Sequence, residues 1–309
     1  MKPIVVLGVF NADTTYRADR LPRLGETILG NSFALGPGGK GSNQAVAIGR
    51  LGAPVHMLTR LGTDDFAAMA IATWQAAGVT PEVIATPESH TGAALIFVEE
   101  SSGNNAIIVA PGAARLITPA DIEAHRLLIE CASVFVTQLE QPVEAAAAGL
   151  AIARAAGVRT ILNPAPATAL PDAMLANCDV LTPNETEASE MTGLPIRSLD
   201  DARKAADALL SRGVGTVVVT LGENGVLVHS RDGSHHVPVV AAGPVVETTG
   251  AGDAFNGGFA VALARGLLPV EAARFGCAVA GISVTRPGAA ASMPTLAEAE
   301  VLYGRRLPG

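Results

Sequence analysis

The residues best suited to chemistry lie late in the chain, in Val246-Glu247-Thr248-Thr249-Gly250-Ala251-Gly252-Asp253-Ala254-Phe255. Small and polar residues lead into Gly-Ala-Gly, and an Asp follows. The apolar pattern of Ala254, Phe255, Gly258, Phe259, Val261, Ala262 and Leu263 then reads as a buried helix. Glycines ahead of a helix let the chain turn sharply and let a ligand approach the backbone. The first turn of a helix leaves N–H groups unpaired and carries positive potential, so it attracts anions. An Asp among those N–H groups can take a proton from an alcohol while they hold a phosphoryl group. This suits phosphoryl transfer to a hydroxyl, where positioning and charge stabilisation supply most of the catalysis. The plainer alternative is a glycine turn with Asp253 as a helix cap.

Such a turn must be mounted on a scaffold, and the sequence describes one. Ile4 to Phe10 is a continuous apolar run, as expected of a strand buried on both faces of a parallel sheet, and it ends at Asn11-Ala12-Asp13. Further strands are predicted at Val55–Thr59, Ser133–Thr137, Arg159–Leu162, Asp179–Leu181 and Thr216–Thr220. Helices are predicted at Asp64–Ala77, from Thr118-Pro119, and at Pro142–Ala156, Asp200–Ser211 and Pro269–Thr285. Alternating strands and helices define a parallel α/β sheet. Gly225–His229 and Ser234–Val239 read as an antiparallel pair near its edge. Most strands end in polar or glycine-containing groups such as Gln138-Leu139-Glu140, Asn163-Pro164-Ala165-Pro166, Thr182-Pro183-Asn184-Glu185-Thr186-Glu187 and Leu221-Gly222-Glu223-Asn224-Gly225. Ligands of open α/β sheets bind beyond the carboxyl ends of strands, so function is expected there. The irregular stretch 14–35, with strand character from Thr27 to Leu35, and the hairpin 91–98 with 105–110 suggest a small separate sheet that could act as a lid.

Between those segments lies Gly36-Pro37-Gly38-Gly39-Lys40-Gly41-Ser42-Asn43-Gln44-Ala45, opening an Ala-rich helix. A Walker A loop is excluded, because Ala34 stands where its first Gly belongs and Gly41 follows Lys40. Gly36, Gly38 and Gly41 satisfy G-x-G-x-x-G, but they do not follow the first strand, and the next strand ends in Arg60 rather than an acid. A glycine-lined approach of backbone to a small ligand, with Asn43 as a hydrogen-bonding group, is the remaining reading.

Composition narrows the field. With 309 residues, 49% hydrophobic and 16% charged, the chain has ample material for a core. A net charge of −8 argues against nucleic acid as a partner. Mean hydropathy is +0.36, yet no apolar run reaches the roughly 18 residues of a membrane span. Three scattered cysteines, Cys131, Cys178 and Cys277, point to a reducing cytoplasm rather than a disulfide framework. The six histidines show no metal-ligand spacing.

Taken in order, the Asn11-Ala12-Asp13, Gly38-Gly39-Lys40-Gly41-Ser42-Asn43-Gln44-Ala45, Asn163-Pro164, Thr182-Pro183-Asn184-Glu185-Thr186-Glu187, Thr220-Leu221-Gly222 and Thr249-Gly250-Ala251-Gly252-Asp253 segments resemble the PfkB carbohydrate-kinase family, from Val5 to about Pro294. The resemblance implies an α/β fold. A central mostly parallel sheet is flanked by helices within one domain over 1–309. A small β-sheet lid is formed by about 13–37 and 90–112 and is often used for a homodimer. It implies ATP-dependent phosphorylation of a sugar's terminal hydroxymethyl group, most similar to members acting on D-ribose. Deoxyribose, a ketose or a nucleoside are alternative acceptors, and a non-catalytic sugar-binding protein is the alternative outside enzymes. By the same resemblance, Asn11, Asp13, Gly38, Gly39, Asn43 and Glu140 hold the sugar, with the Lys40 loop contributing its backbone. Asp253 is the base, and Gly250, Ala251 and Gly252 with Asp253 form the anion hole. Asn184 and Glu187 organise Mg2+. Thr220, Gly222, Glu223, Gly225 and Gly252 line the nucleotide site, with Cys277 near the adenine. A K+ site falls on Glu247, Thr249, Ser283, Arg286, Gly288 and Ser292; the family's usual residue at the first position is Asp, so the longer Glu247 displaces the ion or ligates it differently.

Overall fold

The structure is a computed structural model and describes residues 1–308. Its centre is β1 (Ile4–Leu7), four apolar residues buried on both faces. Among the described residues a nine-stranded sheet is built around it. On one side β1 pairs in parallel with β4 (Val55–Leu61), which pairs with β5 (Val79–Ala85). On the other side follow β8 (Val134–Thr137), β9 (Arg159–Leu162), β10 (Val180–Leu181) and β11 (Thr216–Thr220), all parallel. An antiparallel pair, β12 (Val226–Ser230) and β13 (Gly233–Val237), closes that edge. The chain leaves β1 toward β4 on one side and later returns to β8 on the other, so the carboxyl end of β1 lies at a topological switch point.

Helices cover both faces. Lys40–Arg50, Ala251–Ala264 and Pro269–Ser283 pack on one side with Phe255, Phe259, Phe275 and Trp74. Val143–Ala155 and Leu199–Ser211 pack on the other with Phe135, Leu150 and Leu209. The helix starts at Thr118-Pro119 with a cap and an N1 proline, as the sequence predicts, and Asp121 completes a capping box; that helix stops at Ala124 and a second one runs Arg126–Glu130.

The second sheet has the order β3-β2-β6-β7: β2 (Asn11–Ala18), β3 (Ser32–Gly38), β6 (Ala93–Glu99) and β7 (Asn105–Ala110). This corrects one local expectation. The first strand ends at Leu7 rather than Phe10, and Asn11 and Asp13 open a strand of the small sheet instead of closing one of the large sheet. The small sheet therefore grows directly out of the switch point.

Candidate active site

Two helix starts meet at that point. Gly250 takes φ 78°, and a Cβ there would stand 2.8 Å from that of Ala289, so only glycine lets the chain enter the Ala251–Ala264 helix at this angle. Gly250 holds the N-cap position and no side chain caps this helix. Asp253 is therefore not a cap. Its carboxylate turns inward, 7% exposed, and accepts from Asn43 Nδ2 and Gln44 Nε2, each at 3.0 Å. Ala251 N–H donates to Thr248 O, while the N–H groups of Gly252 and Asp253 donate to no carbonyl among the described residues. These two remain for an anion.

The other helix start carries the glycine-rich segment. Gly38 ends β3 opposite Asn11. A side chain at Gly38 would collide with the Asp13 carboxylate at 2.0 Å, so glycine is what lets that carboxylate lie across the strand end. Lys40 N–H donates to Glu140 Oε2 at 2.8 Å, joining the helix start to the loop after β8. Asn11 Oδ1 and Asn43 Oδ1 are buried without a partner. Buried polar atoms are normally paired, so orphans beside carboxylates mark a place built for a polar ligand.

Electrostatics bind the group together. Burial, with repulsion from Asp253, pushes the Asp13 carboxyl up to about 6. Burial pushes Glu140 up to about 7, against the pull of Lys40. Asp253 is raised by burial and drawn back by Lys40 and its two amide donors. Burial alone would lower the Lys40 ammonium, but Asp253, Glu140 and Glu187 outweigh it and hold it above the usual lysine value. The sequence-predicted residues Asn11, Asp13, Gly38, Gly39, Lys40, Asn43, Glu140 and Asp253 thus form one cluster.

Asn184 and Glu187 lie beside it. They form a reciprocal capping box at the start of the Glu185–Thr192 helix, so the structural role of a cap and an acidic group near Lys40 coexist. Asn184 bridges to Thr220, whose N–H donates to Pro183 O. Gly222, Glu223 and Asn224 form a single exposed turn ending at Gly225. Cys277 lies within the Pro269–Ser283 helix, and burial pushes its thiol up to about 12, so it is not a reactive thiolate. Of the residues proposed around K+, Glu247 and Gly288 are in direct contact: the carboxylate accepts from Gly288 N–H at 2.9 Å. Ser283 and Ser292 hydroxyls donate to backbone carbonyls, and the Arg286 guanidinium pairs with Glu298.

Sequence reasoning named Gln44, Gln138, Asn163 and Thr182 within motif and strand-end segments but gave these buried polar residues no role, and it did not name Asn256. Their signal was available. Gln44 interrupts an Ala-rich helix pattern, and Gln138, Asn163 and Thr182 each stand just after a strand.

With the geometry established, comparison gives the class. Residues 1–296 match the family described as pfkB family carbohydrate kinase, and the chain belongs to that family. It is therefore a carbohydrate kinase. It is 38% identical over 298 residues to the ribokinase of Haemophilus influenzae, covering 96% of this chain and 97% of that one. It is 36% identical over 295 residues to a deoxyribokinase of Salmonella typhi, covering 95% and 96%. The structure superposes on Arabidopsis thaliana ribokinase complexed with ribose and ATP with a TM-score of 0.91 and 32% identity, over 98% of both chains.

Proposed function

We propose that the protein transfers the γ-phosphoryl group of ATP to the terminal hydroxymethyl oxygen of D-ribose, giving ribose 5-phosphate and ADP. The observation that carries this reading is the Asp253 carboxylate, buried beside two free N–H groups in a polar cleft that also holds the orphaned amide oxygens of Asn11 and Asn43. Asn11, Asp13, Asn43 and Glu140, with backbone at Gly38, Gly39 and Lys40, hold the sugar hydroxyls. A neutral polyol needs donors and acceptors rather than counter-charges, and paired carboxylate and amide groups supply both. Asp253 takes the proton of the hydroxyl as its oxygen attacks the γ-phosphorus. The bond to the ADP oxygen breaks, and the N–H groups of the Ala251–Ala264 helix hold the charge on the transferring group. The nucleotide lies along Thr220, Gly222, Glu223 and Gly225, its adenine toward Cys277. The chemistry of Mg2+ is charge neutralisation on the phosphates. Asn184 and Glu187 are the oxygen donors that would hold it through water, which suits an ion that keeps its waters and shares few protein ligands.

The carbonyls and carboxylate of the Glu247, Thr249, Ser283, Arg286, Gly288 and Ser292 set suit a monovalent cation. Glu247 already ties its segment to Gly288, however, which is the task such an ion would perform. K+ is then a weak activator here. The small sheet serves as a lid over the sugar and as a dimer surface. Its register lines Leu35, Thr14, Leu95 and Ile108 in one row, and Phe33, Tyr16 and Phe97 in the next. Five of these, Phe33, Tyr16, Leu35, Leu95 and Ile108, are exposed apolar residues, an unusual face for a sheet in water.

The test is phosphorylation of ribose, 2-deoxyribose, fructose and adenosine by ATP, with and without K+, together with Asp253→Asn. Ribose should be preferred, and Asp253→Asn should lower kcat by about 10²–10⁴-fold with sugar binding retained. Preference for another acceptor would overturn the sugar assignment while leaving the base intact. Equal losses of binding and turnover in Asp253→Asn would overturn the base.

A further inference from the structure

We infer that Gln44 is a positioning residue for Asp253, its side-chain amide locked so that the NH2 end and never the carbonyl end meets the carboxylate. The inference rests on the reading of Asp253 as the base. The lock begins at a group that cannot reverse. The Thr182 carbonyl oxygen only accepts, and Asn163 Nδ2 donates to it at 3.0 Å. Asn163 must therefore turn Oδ1 the other way, where it accepts from Gln44 Nε2 at 3.2 Å. The second hydrogen of the same nitrogen goes to Asp253 Oδ1 at 3.0 Å, and Gln44 Oε1 accepts from Gln138 Nε2 at 2.7 Å. Both donor hydrogens of Gln44 and its carbonyl oxygen are engaged. Gln44 and Gln138 are fully buried and Asn163 nearly so, so a bond lost here is not replaced by water.

Donors on both oxygens, Asn43 on Oδ2 and Gln44 on Oδ1, fix the plane of the Asp253 carboxylate and favour its ionised form. The charged groups facing it are Lys40 from the helix that carries Gln44, Asp13 from β2, Glu140 from the loop after β8, and Glu187 from the Glu185–Thr192 helix. Three of these four are acids and favour protonation of the base. The neutral amide opposes that without adding another cation. The network also reaches the anion hole: Thr182 Oγ1 donates to Asn256 Oδ1 at 2.7 Å, and Asn256 Nδ2 donates to Gly252 O at 2.9 Å. The base and the first turn of its helix are thereby referenced to the end of one strand, β10.

The experiment is the pH profile of kcat for ATP-dependent sugar phosphorylation in Gln44→Glu, Asn163→Leu and Asp253→Asn, with thermal melts to establish that each is folded. Gln44→Glu keeps the shape and the acceptor for Gln138 but replaces the NH2 group with oxygen. Its acid limb should move up by about one pH unit or more, with sugar KM changed less than about 3-fold and kcat recovering at higher pH. Asn163→Leu touches no atom of Asp253 and should move the limb the same way by less. Gln44→Glu also sets a second acid against Asp253, so the uncharged Asn163→Leu decides: a limb unmoved there overturns the inference. A packing role for Gln44 would lower the stability of Asn163→Leu without moving its limb. Loss of turnover in Asp253→Asn with unmoved limbs elsewhere rejects only the role of Gln44; full turnover in Asp253→Asn rejects the base and this inference with it.

Discussion

Replacing Glu140 by Gln should make the protein more stable at pH 8 while weakening its hold on the sugar. Glu140 titrates at about 7 in the folded chain against 4.5 for a free side chain, chiefly because burial penalises its charge. Between those values the folded chain binds more protons than the unfolded one. Stability therefore falls as pH rises through that window, and the loss is complete above about 7. At about 1.4 kcal/mol per pH unit, the raised titration costs about 3 kcal/mol at pH 8, where the group is ionised, and about 1 kcal/mol at pH 5, where the folded chain keeps it protonated. Gln retains an acceptor for Lys40 N–H and loses the attraction to the Lys40 ammonium. The net gain at pH 8 should be about 1–3 kcal/mol, or roughly 2–6 °C in Tm. The strongly depressed carboxylates, Glu26 and Glu298 at about 2, add no slope here, since their window lies below their free values. Thermal unfolding of both proteins at pH 5 and pH 8, with calorimetry of sugar binding, reads the effect. A variant no more stable at pH 8, or an advantage equal at both pH values, would refute the placement of an ionised Glu140 in a cavity poor in water.

Glu187→Gln should raise the Mg2+ concentration needed for half-maximal rate, seen by Mg2+ titration at fixed ATP; Tm should change little, because Gln can still complete the capping box with Asn184. Ile108→Lys together with Phe33→Lys should convert the proposed dimer to a monomer in sedimentation velocity, since both residues lie on the exposed apolar face of the small sheet. Glu247→Asp should withdraw the carboxylate from Gly288 N–H and steepen the K+ dependence of turnover; an unchanged, flat titration would show that the carboxylate does not stand in for the ion.

The large sheet was legible because burial on both faces leaves a continuous apolar signature. Arg159–Leu162 and Thr216–Thr220 fall where the sequence puts them. The sequence missed β5, a half-buried edge strand carrying Pro81 and Glu82, and it read β2 as irregular because Thr14, Thr15 and Arg17 alternate poorly. Such strands are held by their neighbours rather than by their own pattern. The charged and glycine-rich members of the site were also legible, because Gly, Asp and Glu in those contexts have few alternative uses. The amides were not. Gln44 lies 119 residues from Asn163 and 94 from Gln138, and which end of an amide faces which neighbour is set by tertiary contacts alone.

The charge balance of the cleft bears on the order in which ligands enter. Among the described residues, Asp13, Glu140, Glu187 and Asp253 confront one half-buried cation, Lys40. A neutral sugar meets no repulsion there. Its hydroxyls can satisfy Asn11 Oδ1 and Asn43 Oδ1 and share the protons that burial keeps on the acids. A polyphosphate meets the opposite situation. The N–H groups of Gly252 and Asp253 provide only a partial positive charge, so free nucleotide is opposed by the carboxylates, whereas nucleotide already neutralised by Mg2+ is not. Under the proposed function, the same acids both recognise the sugar and make phosphate entry depend on the metal. The amide lock on Asp253 follows from this arrangement: a second lysine beside the base would keep it ionised, but it would also admit the bare nucleotide.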